Sequence, residues 1–463
     1  MKHYLLTLTL LWLACGLMAA PAHAQDGCGG KDDESELEDE DGCGCAELEE
    51  EWEETGRNSA GQKEYKKKGD GSDENAPKLK RDLQTRVNEA IEKGVAWLKK
   101  KQGPDGSWGS CTSSQSYSGE KRKRSCYFSG PTTFSLYTLS KCGVKKRDKS
   151  IQSGYRWVKK KYRKTQAWND KTGKKRGFRS PPDQVSYEVS SLMLMLEAMS
   201  QRSSKLTGKH KKRRLHTDSP SRPPLRSKFS KDDWKWLHQG VIFLTVGNRS
   251  SKGGIQGCQN AAPGGGWRYG PRNGDQDLSA TQFALLGLRA ASQAGYPVKE
   301  KVWRTALNGV RQHRAGGGGY SYRKGEGWSA GMDACALGSM IICKEQLELL
   351  GAPVPAWVDG HIKAAMKHLD EVFDVQHNKG AHHGSAYHYY YLYAVERVGD
   401  LTGRKEFAGK DWYVRGAEFL LAQQHGDGSW TDATCMPPRD TLGTCFALLF
   451  LKKATMPAVT LSE

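Results

Sequence analysis

The chain reads WLKKKQGPDGSW at residues 97–108 and FLLAQQHGDGSW at residues 419–430. Each copy has the pattern of an amphipathic helix end that is followed by a Gln, a tight Gly turn and a Trp. A helix-turn unit that recurs in one register predicts a repeat architecture. The Gln amide can satisfy backbone groups at a helix end, and the indole can pack across the junction between two repeats. We therefore expect the Gln and the last Trp of both copies to be structural staples: Gln102, Trp108, Gln424 and Trp430.

From residue 81 onward, helical periodicity alternates with Gly- and Pro-rich loops. The pattern predicts six outer helices with apolar stripes and charged backs, at about 84–101, 148–164, 231–246, 298–314, 356–376 and 410–424. It predicts six more apolar inner helices, at about 130–141, 185–200, 278–294, 329–347, 385–398 and 440–453. Strand patterns are weak. Six pairs in alternation predict an all-α fold that closes on itself as an (α/α)6 toroid, with the inner helices around a central cavity.

The first 24 residues have the features of an export signal. Lys2 and His3 precede an apolar run from Leu5 to Ala14, and residues 22–24 form a small-x-small cleavage site. Lipoprotein processing at Cys15 is the alternative. Because no later stretch reaches the ~20 apolar residues that span a bilayer, we expect an exported protein of the periplasm, the cell surface or the medium, without a later transmembrane span.

Composition divides the remaining chain. Residues 25–80 are rich in Glu, Asp, Lys and Gly, and they predict a disordered, acidic-then-basic leader. Residues 81–455 form the predicted repeat domain, and residues 456–463 form a short tail. Within the repeat domain, the Pro- and Arg-rich segment 201–230 is too long and polar for a compact turn and predicts an insertion.

The charge of the chain is strongly basic and unevenly distributed. The sequence has 71 Lys and Arg against 52 Asp and Glu, which gives a net charge of +19. Acidic residues dominate 31–54, whereas basic residues dominate five later runs: 121–124, 145–147, 159–164, 172–176 and 205–214. Such runs form solvated faces or disordered loops in many proteins, and the sharper interpretation is a polyanion-binding surface. Export argues against nucleic acid and favours an anionic lipid or an anionic polymer of the envelope.

Cysteine is abundant for an exported chain. The sequence contains 12 Cys, and cleavage of the signal would remove Cys15. Some of the others should pair in an oxidising compartment, and the local pairs Cys111–Cys126 and Cys435–Cys445 are the bridges we expect.

The two Gln-x-x-Asp-Gly-Ser-Trp segments resemble the QW motif of the prenyltransferase and squalene-oxidase repeat superfamily. This superfamily includes terpenoid cyclases, protein prenyltransferase β subunits and uncharacterised bacterial proteins. The resemblance covers about residues 82–455 and implies the α/α toroid without implying an activity. Residues 396–403 and 411–413 look like segments of an uncharacterised exported branch of the same superfamily.

The cyclase acid of this superfamily is the middle Asp of an Asp-x-Asp-Asp-Thr-Ala run, where a carboxylic acid protonates the substrate. The most similar segment here runs from Asp275 to Thr281, and only Asp277 matches when the Thr residues are aligned. The resemblance therefore predicts a protein without the cyclase acid, and terpenoid cyclisation stays a third functional hypothesis. Asp277 and Asp440 each precede a Thr by four residues, and we expect them to cap inner helices.

Protein prenyltransferases place zinc at the mouth of the toroid, on an Asp-x-Cys of one inner helix and a His of the next. The resemblance implies Asp333, Cys335 and His388 as ligands, with a fourth position open for catalysis. Aligned on the helical phrase, Asp333 instead falls at a Thr position. The alternative is that Asp333 caps a helix, Cys335 is a small core residue and His388 is one of several aromatic residues.

Aromatic residues cluster in the fifth inner helix and at the repeat turns. Those that face inward would give the cavity an aromatic wall, which suits an apolar or carbohydrate ligand, whereas the alternative is helix packing. The predicted lining residues are Trp267, Trp328, Tyr387 and Tyr391. The leading functional hypothesis is a binding or scaffold protein of the cell envelope. The second is a zinc-dependent enzyme of prenyltransferase-like geometry.

Overall fold

The computed structural model describes residues 52–57, 63–67, 76–109, 129–165, 185–200, 229–245, 248–249, 255–256, 265–268, 276–381, 386–432 and 438–453. The predicted signal peptide, the tail, the Cys111–Cys126 bridge, most of the leader and nearly all of the insertion lie outside these residues. They stay predictions.

Twelve helices occur in the described part of the chain, and they confirm the predicted all-α (α/α)6 toroid. The outer helices are α1 (Ala76–Lys100), α3 (Lys149–Thr165), α5 (Lys231–Thr245), α7 (Glu300–Arg311), α9 (Trp357–Val372) and α11 (Trp412–Gln423). The inner helices are α2 (Gly130–Lys141), α4 (Val185–Ser200), α6 (Leu278–Gln293), α8 (Ala330–Leu349), α10 (His388–Thr402) and α12 (Arg439–Lys452).

The described strands are short and form antiparallel pairs. β1 (Trp52–Arg57) pairs with β2 (Lys63–Lys67) inside the predicted leader. β3 (Asn248–Arg249) pairs with β4 (Ile255–Gln256), and β5 (Glu406–Phe407) pairs with β6 (Lys410–Asp411).

The inner helices form a closed layer. Each packs against the next along the chain, and α12 packs against α2, so that the layer has no edge. An inner helix is covered on all sides, which explains why α8 is apolar around its circumference. An outer helix covers the ring on one side only, and α7 accordingly buries a stripe that includes Val302, Leu307 and Val310.

The two copies of the repeated segment make the same contacts at different junctions. The Gln102 amide donates to the carbonyls of Gly106 and Ser150, both at 2.9 Å, and so joins the first turn to α3. The Gln424 amide donates at 3.0 Å to the carbonyls of Gly428 and Ala90. Since Ala90 belongs to α1, the second copy closes the ring.

The Trp residues of both copies are fully buried in these junctions. The indoles of Trp108 and Trp430 each donate at 2.7 Å to a carbonyl ten residues earlier. An added Cβ at Gly154 would lie 2.8 Å from the Trp108 ring, and one at Gly94 would lie 2.8 Å from the Trp430 ring. The glycines of the next outer helix therefore make room for the indoles, and these contacts agree with the predicted staple role.

Three further predictions concern residues of the inner helices: Asp277, Asp440 and Cys445. Asp277 is the N-cap of α6 and accepts from the Ala280 amide at 2.7 Å, as predicted. Asp440 lies inside the first turn of α12, whose N-cap is Pro438, so its predicted cap role is wrong. Cys445 is a free, buried thiol whose Sγ lies 3.7 Å from Ser135 Oγ. The predicted Cys435–Cys445 bridge is therefore also wrong, because Cys445 points into the inner layer.

In the described part of the chain, no helix combines the length and apolarity that crossing a membrane requires.

Candidate functional site

Asp333 holds the turn that precedes its own helix. In three repeats the amide of the junction Trp donates to a Thr hydroxyl of the inner helix, as Trp430 does to Thr444 at 3.0 Å. In the fourth repeat the junction residue is Tyr320, whose amide donates to Asp333 Oδ1 at 2.6 Å. The N-cap of α8 is Ser329. Asp333 therefore occupies the Thr position of the repeat, as the sequence alignment predicts.

The second carboxylate oxygen of Asp333 contacts an imidazole that the sequence analysis missed. His368 Nδ1 lies 2.8 Å from Asp333 Oδ2, and both side chains are buried. His368 lies four residues after Ala364, whose carbonyl faces Gly318. Trp97 likewise lies four residues after Lys93, whose carbonyl faces Gly428. The Trp97 indole donates to Asp427 Oδ2 at 3.0 Å. The repeat register is thus the signal that could have identified His368.

This acid–imidazole pair lies under an aromatic ring. The Trp328 ring meets the His368 ring edge-on, with centroids 4.7 Å apart. Burial raises the pKa of Asp333 to about 6, and this effect exceeds the lowering by the Tyr320 amide and by His368. The Asp333 carboxyl therefore keeps its proton to a higher pH than an exposed carboxyl does, and its contact with His368 is shielded from solvent.

The structure does not bring the predicted zinc ligands together. Asp333 contacts the Tyr320 amide and His368, whereas Cys335 Sγ lies 3.1 Å from the Tyr390 hydroxyl. Burial raises the pKa of Cys335 to about 12, which disfavours the thiolate that zinc needs. His388 uses Nε2 to contact the Val375 carbonyl at 2.9 Å. Among the described residues, no group of three His, Cys, Asp or Glu side chains could hold a metal ion.

The four predicted lining aromatics occupy different environments. Trp267 is buried at a junction, where its indole donates to the Leu244 carbonyl at 2.9 Å. Trp328 covers His368, and Tyr391 is buried near the Asp374 amide. Tyr387 is 47% exposed and adopts a left-handed φ of 56° at the start of α10.

The interior of the ring is packed with other aromatic side chains. The Phe446 ring centroid lies 5.1 Å from Phe134, 5.4 Å from Tyr393 and 5.7 Å from Tyr390. Phe283 lies 6.0 Å from Tyr390. These side chains come from α2, α6, α10 and α12, and their separations are those of rings in contact. Aromatic packing therefore joins opposite sides of the inner layer.

The outer surface carries a cationic patch, which we name the α3 basic face. It comprises exposed cations on α3 and on the turn before it: Lys145, Lys146, Arg147, Lys149, Arg156 and Lys160. Lys149, Arg156 and Lys160 follow one stripe of the helix because they are spaced by seven and four residues. None of the six forms an ion pair with a described residue.

Two clefts lie on this face. One encloses about 560 Å³ between the first repeat turn and α3, and its lining includes Arg156, Trp157 and Lys160. The Trp157 indole donates to Asp105 Oδ2 at 3.1 Å, which fixes the ring in the cleft wall. The other encloses about 470 Å³ and is lined partly by Lys145, Arg147 and Lys149.

The fold and its staples define an α/α toroid, which is the architecture that the resemblance to the terpenoid cyclase and protein prenyltransferase superfamily implies. The family model of the squalene-hopene cyclase C-terminal domain matches residues 78–203. No curated protein matches the chain.

Several solved structures are similar to the chain at low identity. An α-1,6-mannanase from a Salegentibacter species is 11% identical, with 80% of this chain and 98% of that chain covered and a TM-score of 0.43. A type II terpene cyclase from Scytonema, in complex with geranylgeranyl dihydroxybenzoate, is 11% identical over 81% of this chain and 99% of that chain, with a TM-score of 0.41. A protein from Actinoplanes is 14% identical over 80% and 98%, with a TM-score of 0.39.

Proposed function

We propose that this protein is an exported binding protein of the cell envelope, which holds an anionic polymer on the α3 basic face. The observation that carries the proposal is the cleft whose lining combines the Trp157 ring with Arg156, Lys160 and Lys161. Cations without ion-pair partners attract acidic groups, and a fixed indole offers an apolar face to a sugar ring. The combination suits a glycan that carries phosphate, sulfate or carboxylate groups.

Two features of the interior favour a binding role over terpenoid cyclisation. The aromatic rings of Phe134, Phe283, Tyr390 and Phe446 occupy volume that a polyene substrate would need. Asp277, the one residue that aligns with the cyclase acid run, is committed to the cap of α6. The predicted export signal places the basic face where envelope polymers occur.

The test compares two double variants of the mature chain that lose the same charge. Arg156→Gln with Lys160→Gln removes two cations from the cleft, whereas Lys363→Gln with Lys367→Gln removes two exposed cations from α9. The assay is calorimetric titration of each variant with heparin at several salt concentrations. At about 1 kcal/mol for each cation near an anionic surface, we expect the first variant to lose affinity by tenfold or more and the control to stay within about twofold.

Equal losses in the two variants would refute the assignment, because they would show an effect of net charge alone. Vesicles that contain phosphatidylglycerol provide a separate arm. If the wild-type chain binds these vesicles but no soluble polyanion, the ligand is a lipid surface and the polymer assignment is wrong.

A further inference from the structure

Three basic side chains meet on the outer surface where α7 and α9 are neighbours. Arg311 is the last residue of α7, Arg314 follows it by three residues, and His361 belongs to α9. Both arginines are exposed, and His361 is partly exposed. We name Arg311, Arg314 and His361 the α7–α9 basic cluster. It belongs to other repeats than the α3 basic face does.

The ring of Trp357 contacts two members of this cluster. The Arg311 guanidinium carbon lies 5.1 Å from the centroid of the Trp357 ring. The His361 ring meets the same indole edge-on, with centroids 4.9 Å apart. A guanidinium over an aromatic face interacts through its charge, so its N–H donors stay available for other partners. Trp357 therefore positions Arg311 beside His361 without using the hydrogen-bond donors of the arginine.

Tyr320 connects the third member to the histidine. Arg314 pairs with Tyr320 in an isolated antiparallel bridge, and the Tyr320 hydroxyl lies 3.1 Å from His361 Nδ1. A hydroxyl can donate to a neutral imidazole or accept from a protonated one. This contact therefore orients the ring in both charge states and leaves Nε2 as an N–H donor. Nε2 has no partner among the described residues.

The carboxylates of the surrounding elements do not neutralise the cluster. Glu326, in the turn after α7, accepts from the Arg323 amide, and the buried Asp333 is occupied by the Tyr320 amide and His368. The carboxylates of α7, of α9 and of the end of α8 are all paired with other cations: Glu300 with Arg304, Asp359 and Glu348 with Lys344, Asp370 with Arg404, Glu371 with Lys367, and Glu345 with Arg289.

The two arginines therefore keep their positive charge unopposed. Neither Arg311 nor Arg314 forms an ion pair with a described residue. The pKa of His361 lies below its usual value, first because the ring is partly buried and then because Arg314 and Arg311 repel its protonated form. An anion bound between these groups would relieve that repulsion.

The surface beside the cluster is open to a ligand. A Cβ added at Gly316 or Gly317, which follow Arg314 by two and three residues, would meet no atom within 4 Å. The same holds for Gly360, the neighbour of His361. Because the arginines reach solvent and the backbone on both sides is unobstructed, a small ligand can approach without an enclosed cavity.

We propose that the α7–α9 basic cluster binds a dianionic phosphate group, carried by a small phosphate monoester, through Arg311, Arg314 and His361. Two guanidinium groups and one imidazole N–H offer more donors than the two oxygens of a carboxylate can use, whereas a tetrahedral dianion has enough acceptors for all three. The site does not depend on polymer binding at the α3 basic face.

The first test is calorimetric titration of the mature chain with inorganic phosphate at pH 7 and constant ionic strength. Arg311→Gln with Arg314→Gln removes two cations from the cluster, whereas Lys363→Gln with Lys367→Gln removes two exposed cations from elsewhere on α9. We expect the first double variant to lose affinity by about tenfold or more, because it loses charge-assisted hydrogen bonds. The control should stay within about twofold of the wild type. Dimethyl phosphate, a diester with one charge, should bind the wild type about tenfold more weakly than phosphate.

The second test follows the imidazole resonances of the wild-type chain by NMR while sulfate replaces chloride at constant ionic strength. Sulfate is a tetrahedral dianion that does not titrate near neutral pH. It should raise the pKa of His361 by about 1 or more, whereas the resonances of the exposed His425 should not respond.

The proposal is overturned if phosphate does not bind saturably, if both double variants bind it equally, or if dimethyl phosphate binds as tightly as phosphate does. It is also overturned if sulfate leaves the pKa of His361 unchanged. This last criterion uses the wild-type chain, so it decides the question even if the arginine variant does not fold.

Discussion

Replacement of Asp333 by Asn should change how stability depends on pH. Burial raises the pKa of this carboxyl from 3.8 to about 6 in the folded protein. Below pH 3.8 the carboxyl is protonated in both states; between this pH and 6 the folded state retains its proton more strongly than the unfolded state does. The contribution of Asp333 to the stability of the wild type therefore falls as pH rises through this window. The difference between a pKa of 3.8 and a pKa of about 6 corresponds to about 3 kcal/mol at neutral pH.

The Asn side chain has nearly the same shape, can still accept from the Tyr320 amide and does not ionise. The free energy of unfolding of Asp333→Asn minus that of the wild type should therefore increase by about 3 kcal/mol between about pH 3 and about pH 7 and then level off. The assay is urea unfolding followed by far-UV circular dichroism at half-unit intervals of pH. Use of the difference cancels the titration of the other carboxyls.

If the difference in free energy of unfolding between Asp333→Asn and the wild type did not change with pH, the raised pKa of Asp333 would be refuted. If this difference fell as pH rises, Asp333 would instead be stabilised as an anion by His368. Asp148→Asn is the control for sign. A hydrogen bond from Lys99 lowers the pKa of Asp148, so its contribution to stability is present above the unfolded pKa and is lost as pH falls. The corresponding difference for Asp148→Asn should therefore decrease as pH rises.

Three further predictions concern the staples. Gln424→Ala and Gln102→Ala should each lower the free energy of unfolding by about 2 kcal/mol in urea melts, because each removes two donated hydrogen bonds; a null effect at either site would contradict the staple role. Trp430→Phe should cost about 1–3 kcal/mol in the same assay, because a buried carbonyl loses its indole donor, and a neutral result would count against it. Gly94→Ala should lower the free energy of unfolding by about 1–3 kcal/mol through contact with Trp430. Gly360→Ala, where the added Cβ meets no atom within 4 Å, should raise it by up to about 1 kcal/mol. The same change in the free energy of unfolding in both variants would exclude the steric argument.

The helices were predictable because periodicity is local information. α2 and α4 have the predicted bounds, since an inner helix differs sharply in composition from the loops around it. α1 begins earlier than predicted, at Ala76, and Pro77 is compatible with this start because the first helical positions need no backbone N–H donor. The register of the repeats is also visible in the sequence. It correctly predicts that Asp333 occupies the position of the Thr in the other repeats.

The candidate site was less predictable because its contacts join distant segments. His368 is 35 residues from Asp333, and only the repeat register relates it to Trp97. Asp333, Cys335 and His388 retain the family spacing, but their partners are set by tertiary packing, such as the contact of His388 with Val375.

The junction between Gln424 and Ala90 gives the repeat array a periodic boundary. An open solenoid has two end repeats that fray and need polar caps, because each repeat is stabilised only by its neighbours. Here the last turn serves as the neighbour of the first helix across 334 residues of sequence. Closing so long a loop costs entropy and delays assembly until synthesis is nearly complete. Once closed, the array has no end from which to unzip, and we expect unfolding to require the loss of a whole junction at once.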